Sequence, residues 1–344
     1  MEAPDTTSSP DAAAADGTVV VSGIQPSGRL HLGNYFGAIR QHIDLHKEHD
    51  AFYFIVNYHA MTTVQDADQL RQHTFDVALD YLALGFDPEE AALFVQSDVP
   101  EVTELTWIFF NLIPTSYLEK GVAYKEKINA GLTPNAGLFN YPVLQAADIL
   151  AYGGTHVPVG ADQKQNLEIA RELARRFNHR YCPDDEPLFP VPEPHILDHV
   201  AVVPGTDGRK MSKSYDNTIG IFDEGDALKE SVMRIVTDST PLEEPKDPEN
   251  CNVFALIKLF ADEETQQEIA EKYREGGYGY GHAKQELLGL IEDRFEEARA
   301  RRKELKKRPD YVRDVLREGA ETARERVMPI MERMRERTGI VRTR

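Results

Sequence analysis

The feature that most limits the fold is a β-branched run, Thr18-Val19-Val20-Val21-Ser22, leading into a turn punctuated by Gly23, Gly28 and Gly33. A short apolar run of this kind reads as a buried strand. Glycine lets the backbone bend and approach a ligand closely. From Gly33 to about residue 49 the pattern is helical. The segment therefore predicts a strand, a turn and a helix start whose amides and dipole favour an anion. His31 and Asn34, three apart, share one face there and can both donate to phosphate oxygens. On the glycines alone, an ordinary strand–turn–helix joint capped by Asn explains the segment equally well.

The alternation continues along the chain. Residues 51–56, 92–95, 157–159 and 201–203 predict strands. Residues 66–84, 139–152 and 162–177 predict helices, the first opened by an Asp cap, and 99–131 is mostly helical and rich in aromatics. Strands alternating with helices predict an α/β fold, a doubly wound parallel sheet of Rossmann-like type with the ligand beyond the strands' carboxyl ends. After residue 216 the segments 223–237, 251–274, 279–307 and 309–336 are charged, helical in period and without strand signals. A chain of 344 residues exceeds one comfortable core. The expected organisation is a disordered acidic tail over 1–17, a catalytic domain with a helical insertion over 18–215, and an α-helical domain over 216–344.

Composition narrows the function classes. No apolar run approaches the roughly 18 residues a membrane helix needs. Residues 1–17 contain no Arg or Lys, unlike a signal or transit peptide. Two cysteines, Cys182 and Cys251, argue against a disulfide framework or a cysteine-rich zinc site and suit a reducing cytoplasm; no protein-bound metal is expected. The net charge of −19, from 58 acidic and 39 basic residues, excludes a protein that binds nucleic acid through its whole surface. An RNA partner would need local basic clusters, as in Arg301-Arg302-Lys303, Lys306-Lys307-Arg308 or the arginines between Arg324 and Arg344. An acidic surface suited to high salt fits the same balance.

A second motif, Lys210-Met211-Ser212-Lys213-Ser214, follows the flexible approach Gly205-Thr206-Asp207-Gly208-Arg209. Two ammonium groups and two hydroxyls suit a pyrophosphate, although a lysine–serine cluster is usually just a solvated loop. Paired with the glycine turn, it predicts an ATP site that activates a carboxylate. That reaction needs no general base, only alignment and stabilisation of charge on the leaving phosphates. Asp148 stands between Val143-Leu144 and Ile149-Leu150, and a lone carboxylate in an apolar setting asks for a partner.

These motifs resemble the class I aminoacyl-tRNA synthetases, and within them the branch that activates tryptophan. The likeness runs from about residue 19 to the C-terminus. It is carried by Ser22 to Gly28 with Gly33-Asn34-Tyr35, by Tyr58-His59-Ala60-Met61-Thr62, by 141–150, by 157–163, by Arg171, Phe177 and Asn178, and by the lysine loop. The resemblance implies ATP with Mg2+, L-tryptophan, tRNA(Trp) and a homodimer. It implies that Gln25, Pro26, Ser27, Gly33 and Asn34 line ATP, with His31 as the signature histidine. Gly160, Ala161 and Asp162 would face the ribose and Ala201 the adenine. Lys210 and Lys213 would embrace the pyrophosphate within the loop that includes Met211, Ser212 and Ser214. One of Lys125 and Lys127, expected to be Lys127, would reach the phosphates. Asp148 would accept the indole N–H, with Tyr141, Gln145, Gln163 and His59 around the amino acid.

Gln145 departs from this pattern, because many tryptophan enzymes carry Met there. A Gln-x-x-Asp pair also resembles the tyrosine-specific branch, so tyrosine remains an alternative substrate. Trp107, Phe109 and Phe110 are expected in a core or a subunit interface rather than at a ligand.

Overall fold

The computed structural model describes residues 17–340 apart from 27, 46–48, 132, 159–163, 185 and 196–202. Five parallel strands, β1 (Val19–Ile24), β2 (Asp50–Ile55), β3 (Ala92–Val95), β4 (His156–Pro158) and β5 (Glu193–His195), lie in the order β3-β2-β1-β4-β5. Val19 faces Asp50 and Ile24 faces Ile55 across β1 and β2. The order grows outward to β3 and then resumes on the far side of β1. The reversal therefore falls between β1 and β4, which opens a crevice at their carboxyl ends.

Helices fill the connections. After β1 come α1 (Leu32–Asn34), a π-helical turn over Tyr35–Ile39, and α2 (Arg40–Leu45). The single helix expected from 33 to 49 is thus interrupted, and the π turn delivers Tyr35, Phe36 and Ile39 to the core. After β2 come α3 (Asn57–Ala60) and α4 (Ala67–Ala83), whose cap Asp66 accepts from the Gln69 amide as the sequence predicts. The aromatic stretch after β3 divides into α5 (Glu101–Phe110), α6 (Thr115–Leu118) and α7 (Val122–Asn129). It is followed by α8 (Ala136–Leu150) before β4 and α9 (Lys164–Tyr181) after it.

Adjacent strand residues point to opposite faces, and each face has its own core. Val20, Tyr53 and Leu93 belong to one apolar cluster, while Val21, Phe54 and Phe94 belong to the other. The strand expected at 201–203 corresponds only in part to described residues. Ala201 and Val202 lie outside them, and Val203 is buried but not in a strand. The fifth strand is Glu193–His195, a sequence with weak strand signals; its proline is tolerable at a sheet edge.

The remainder is helical: α10 (Gly225–Met233), α11 (Asn252–Ile257), α12 (Glu263–Glu275), α13 (Tyr280–Lys306) and α14 (Pro309–Thr338). The expected 251–274 helix splits because Asp262 accepts from the Thr265 amide and starts α12 afresh. Apolar packing is continuous from the sheet into this region: Leu32 and Tyr35 share a cluster with Ile219, Phe254 and Phe295. The last helix turns back onto β3. A Cβ on Gly319 would lie 2.2 Å from the Leu93 carbonyl oxygen, so backbone meets backbone there. Several cations expected at an RNA surface are engaged internally. Arg324 pairs with Glu101 at 2.6 Å and Arg335 with Glu104 at 2.5 Å, while Arg302 pairs with buried Asp80 on α4. Phe109 is buried, whereas Trp107 on the same helix is 66% exposed.

Candidate active site

A cavity of about 520 Å³ opens at the carboxyl ends of the central strands. Val21, Ser22 and Gly23 of β1 form one side, and Phe54 and Val56 at the end of β2 another. From α8 come Tyr141, Gln145 and Asp148, and from α3 His59. Four of the five residues expected around the amino acid therefore line one cavity, together with Gln25; Gln163 lies outside the described residues.

Asp148 is 2% exposed and stands near the carboxyl end of α8, where the helix dipole disfavours an anion. Donors compensate. His59 Nε2 lies 2.7 Å from Oδ2, and Gln96 Nε2 lies 2.8 Å from both carboxylate oxygens. The Tyr141 ring stands edge-on to His59 at 6.2 Å. The amide that holds the carboxylate is thus Gln96, at the end of β3, while Gln145 lines the same cavity. Gln96 was missed in the sequence reading. Its signal is position: it is the first residue beyond a parallel strand, where ligands bind.

The two sequence motifs meet beside this cavity. Leu32 N donates to Ile219 O at 3.0 Å and Ile221 N to Leu30 O at 3.2 Å, so the chain just beyond the lysine loop pairs with the glycine turn. The Gly33 amide donates to Met211 Sδ at 3.3 Å. The fit at Gly33 is tight: a Cβ would come 3.0 Å from the His31 ring and 3.3 Å from Met211 Cβ, so one of these side chains would have to shift. His31 is buried and donates its backbone N–H to Asn34 Oδ1 at 3.1 Å. Burial first, and then the nearby Lys213 charge, lower the His31 pKa to about 4. Its Nδ1 has no hydrogen-bond partner among the described residues. A buried unpartnered ring atom beside an ammonium group suits a bound phosphate.

Lys213 is half-buried, and desolvation lowers its pKa to about 8 against the opposing pull of Asp80. Ser212 is half-buried, whereas Lys210 and Ser214 are exposed. The loop that carries them is not the loose segment its composition suggests. Buried Asn217 accepts from the Ser212 amide at 2.8 Å and donates to the Lys210 carbonyl at 3.1 Å and to Asp207 at 2.7 Å. The Met211 amide donates to Val203 O at 2.8 Å. Asn217 is a second residue the sequence reading missed; only its place just beyond the motif marked it.

The remaining candidates are scattered or lie beyond description. Pro26 is buried at the end of β1. Lys125 is exposed and Lys127 half-buried on α7, and neither lines the cavity. Ser27, Gly160, Ala161, Asp162 and Ala201 lie outside the described residues. No group of three or more His, Cys, Asp or Glu side chains among the described residues has the arrangement of a metal site. No helix among them is long and apolar enough to cross a membrane.

Known proteins resemble the chain over nearly its whole length. The family model for class I tRNA synthetases (W and Y) matches residues 15–296. A tryptophan–tRNA ligase of Fusobacterium nucleatum is 52% identical over 321 residues, covering 93% of this chain and 98% of that protein. One from Rhodopirellula baltica is 51% identical, covering 93% and 99%. The crystal structure of tryptophanyl-tRNA synthetase from Campylobacter jejuni, complexed with ADP and tryptophan, superposes with a TM-score of 0.87 at 47% identity, covering 94% of this chain and all of that one. With its parallel sheet, paired motifs and near full-length likeness, this chain belongs to the class I tRNA synthetases of the tryptophan and tyrosine group.

Proposed function

We propose that the chain is a tryptophan–tRNA ligase. It joins L-tryptophan to ATP, forming tryptophanyl-adenylate and pyrophosphate, and passes the acyl group to the terminal ribose of tRNA(Trp). The observation that carries this reading is Asp148, a buried carboxylate in the lining of a cavity of about 520 Å³ at the ends of the central strands. A site built to accept a hydrogen bond rejects an analogue without the donor, by roughly 10⁴ to 10⁵ in the strongest cases. Phenylalanine is excluded on that ground.

In this reading an oxygen of the amino-acid carboxylate attacks the α-phosphorus of ATP. The bond to the β-phosphate oxygen breaks, and pyrophosphate leaves with the electron pair. No proton moves. The protein's task is positioning and charge stabilisation. Gln25, Pro26, Ser27, Gly33 and Asn34 hold the nucleotide around the start of α1, and His31, Lys210 and Lys213 meet its phosphates. Lys127 on α7 is assigned to the same phosphates. Gly160, Ala161, Asp162 and Ala201 are assigned to the adenosine, while Tyr141, Gln145, Gln163 and His59 surround the amino acid. Magnesium carried by ATP would supply further positive charge at the phosphates.

The helical region after residue 216 is assigned to the anticodon end of the tRNA. A homodimer using the face around exposed Trp107, and a cytoplasmic location, belong to the same reading. Gln145 in the cavity wall favours the one competing substrate, tyrosine. Amino-acid-dependent exchange of pyrophosphate into ATP separates the two. Exchange with tryptophan alone supports the proposal, and exchange with tyrosine alone overturns it.

A further inference from the structure

We propose that Gln96 is a positioning residue for specificity: together with His59 it occupies and orients Asp148, so that the acceptor capacity left on Oδ1 is dedicated to the substrate's N–H. The inference rests on the reading of the cavity as the amino-acid pocket. A carboxylate has about four acceptor positions, two on each oxygen. Oδ2 receives His59 Nε2 at 2.7 Å and Gln96 Nε2 at 2.8 Å. Among the described residues, Oδ1 receives only Gln96 Nε2, at 2.8 Å, the contact that nitrogen shares with Oδ2. Oδ1 therefore keeps acceptor capacity, on a residue that lines the cavity.

Gln96 is itself held in one orientation. The Tyr58 amide donates to its Oε1 at 3.0 Å, which fixes the Nε2 end toward Asp148 and forbids an amide flip. Its setting is braced by a reciprocal pair one residue along each strand end. Asn57 Nδ2 donates to Ser97 Oγ at 2.9 Å, and Ser97 N donates to Asn57 Oδ1 at 3.2 Å. Gln96 is 0% exposed. Without its donor, the carboxylate would be free to rotate and its remaining acceptor would no longer be held toward the substrate's N–H.

The test uses the full-length chain and pyrophosphate exchange with L-tryptophan and with β-(3-benzothienyl)alanine, in which sulfur replaces the indole N–H. Wild-type protein should prefer tryptophan. Gln96→Met should lower kcat/KM for tryptophan by about 10- to 100-fold, the scale of an unpaired buried polar group. The analogue's kcat/KM and the KM for ATP should stay nearly unchanged, so the preference collapses. A merely structural role would depress both substrates together and overturn the inference, as would a preference that survives. Should Gln96→Met not fold, Gln96→Asn, which withdraws the amide by one methylene, gives the same readout. A wild-type protein that uses the analogue as well as tryptophan overturns the pocket reading itself, an outcome distinct from failure at Gln96.

Discussion

The backbone amide of Gly33 donates to the Sδ atom of Met211, 3.3 Å away in space and 178 residues away in sequence. The glycine turn and the lysine loop are thus docked directly to each other. Gly33→Ala adds a methyl group against the His31 ring and Met211 and should displace the loop. We expect adenylate formation to slow by about 10²-fold, as misplacement of about 1 Å can do, with little loss of thermal stability. Single-turnover adenylate formation alongside a melting curve checks this.

Asp148→Ala removes the acceptor and leaves the Gln96 amide without its carboxylate partner. Tryptophan-dependent exchange should fall by about 10⁴-fold, while the KM for ATP changes little. The same variant should lose its preference for tryptophan over phenylalanine. Exchange rates with both amino acids measure the two effects together.

Lys213 has a pKa lowered by burial to about 8, so its ammonium group is lost as pH rises through that value. If the charge serves the phosphates, kcat/KM for ATP falls above about pH 8. Lys213→Arg keeps its charge at every accessible pH and should move that limb upward. A pH–rate profile of both proteins between 6.5 and 9.5 tests the assignment.

His42 lies beneath the sheet between Ser22 Oγ at 3.0 Å and Tyr81 Oη at 3.1 Å, and burial lowers its pKa from 6.5 to about 3. Between these values the unfolded chain takes up a proton that the folded one refuses. Stability therefore declines as pH falls from 6.5, by about 3 kcal/mol at pH 4 from this residue. His42→Phe breaks two hydrogen bonds and lowers stability at pH 7, but should flatten the acid limb by that amount. Urea unfolding at pH 7 and pH 4 gives the comparison.

Gly319→Ala would drive a methyl group into the Leu93 carbonyl and force α14 off β3. We expect a loss of about 1–3 kcal/mol, read as a lower urea midpoint with unchanged KM for tryptophan.

The parallel sheet was legible because Val19, Val20 and Val21 and residues 51–55 are buried on both faces and read as apolar runs. Glu193–His195 escaped, since a short edge strand with a proline gains its pairing from tertiary context rather than propensity. In the cavity, Asp148, His59, Tyr141 and Gln145 were visible as motif residues. Gln96 and Asn217 were not. Their side chains act on partners 52 residues away in one case and on a nearby irregular loop in the other, and no periodicity reports either arrangement.

The return of α14 to β3 has a consequence for biosynthesis. The outermost strand emerges from the ribosome long before the helix that shields it. Until the segment around Gly319 has been translated, β3 presents an uncovered edge and an apolar flank to neighbouring nascent chains. The sheet that holds the glycine turn is therefore among the first parts synthesised and among the last to be sealed.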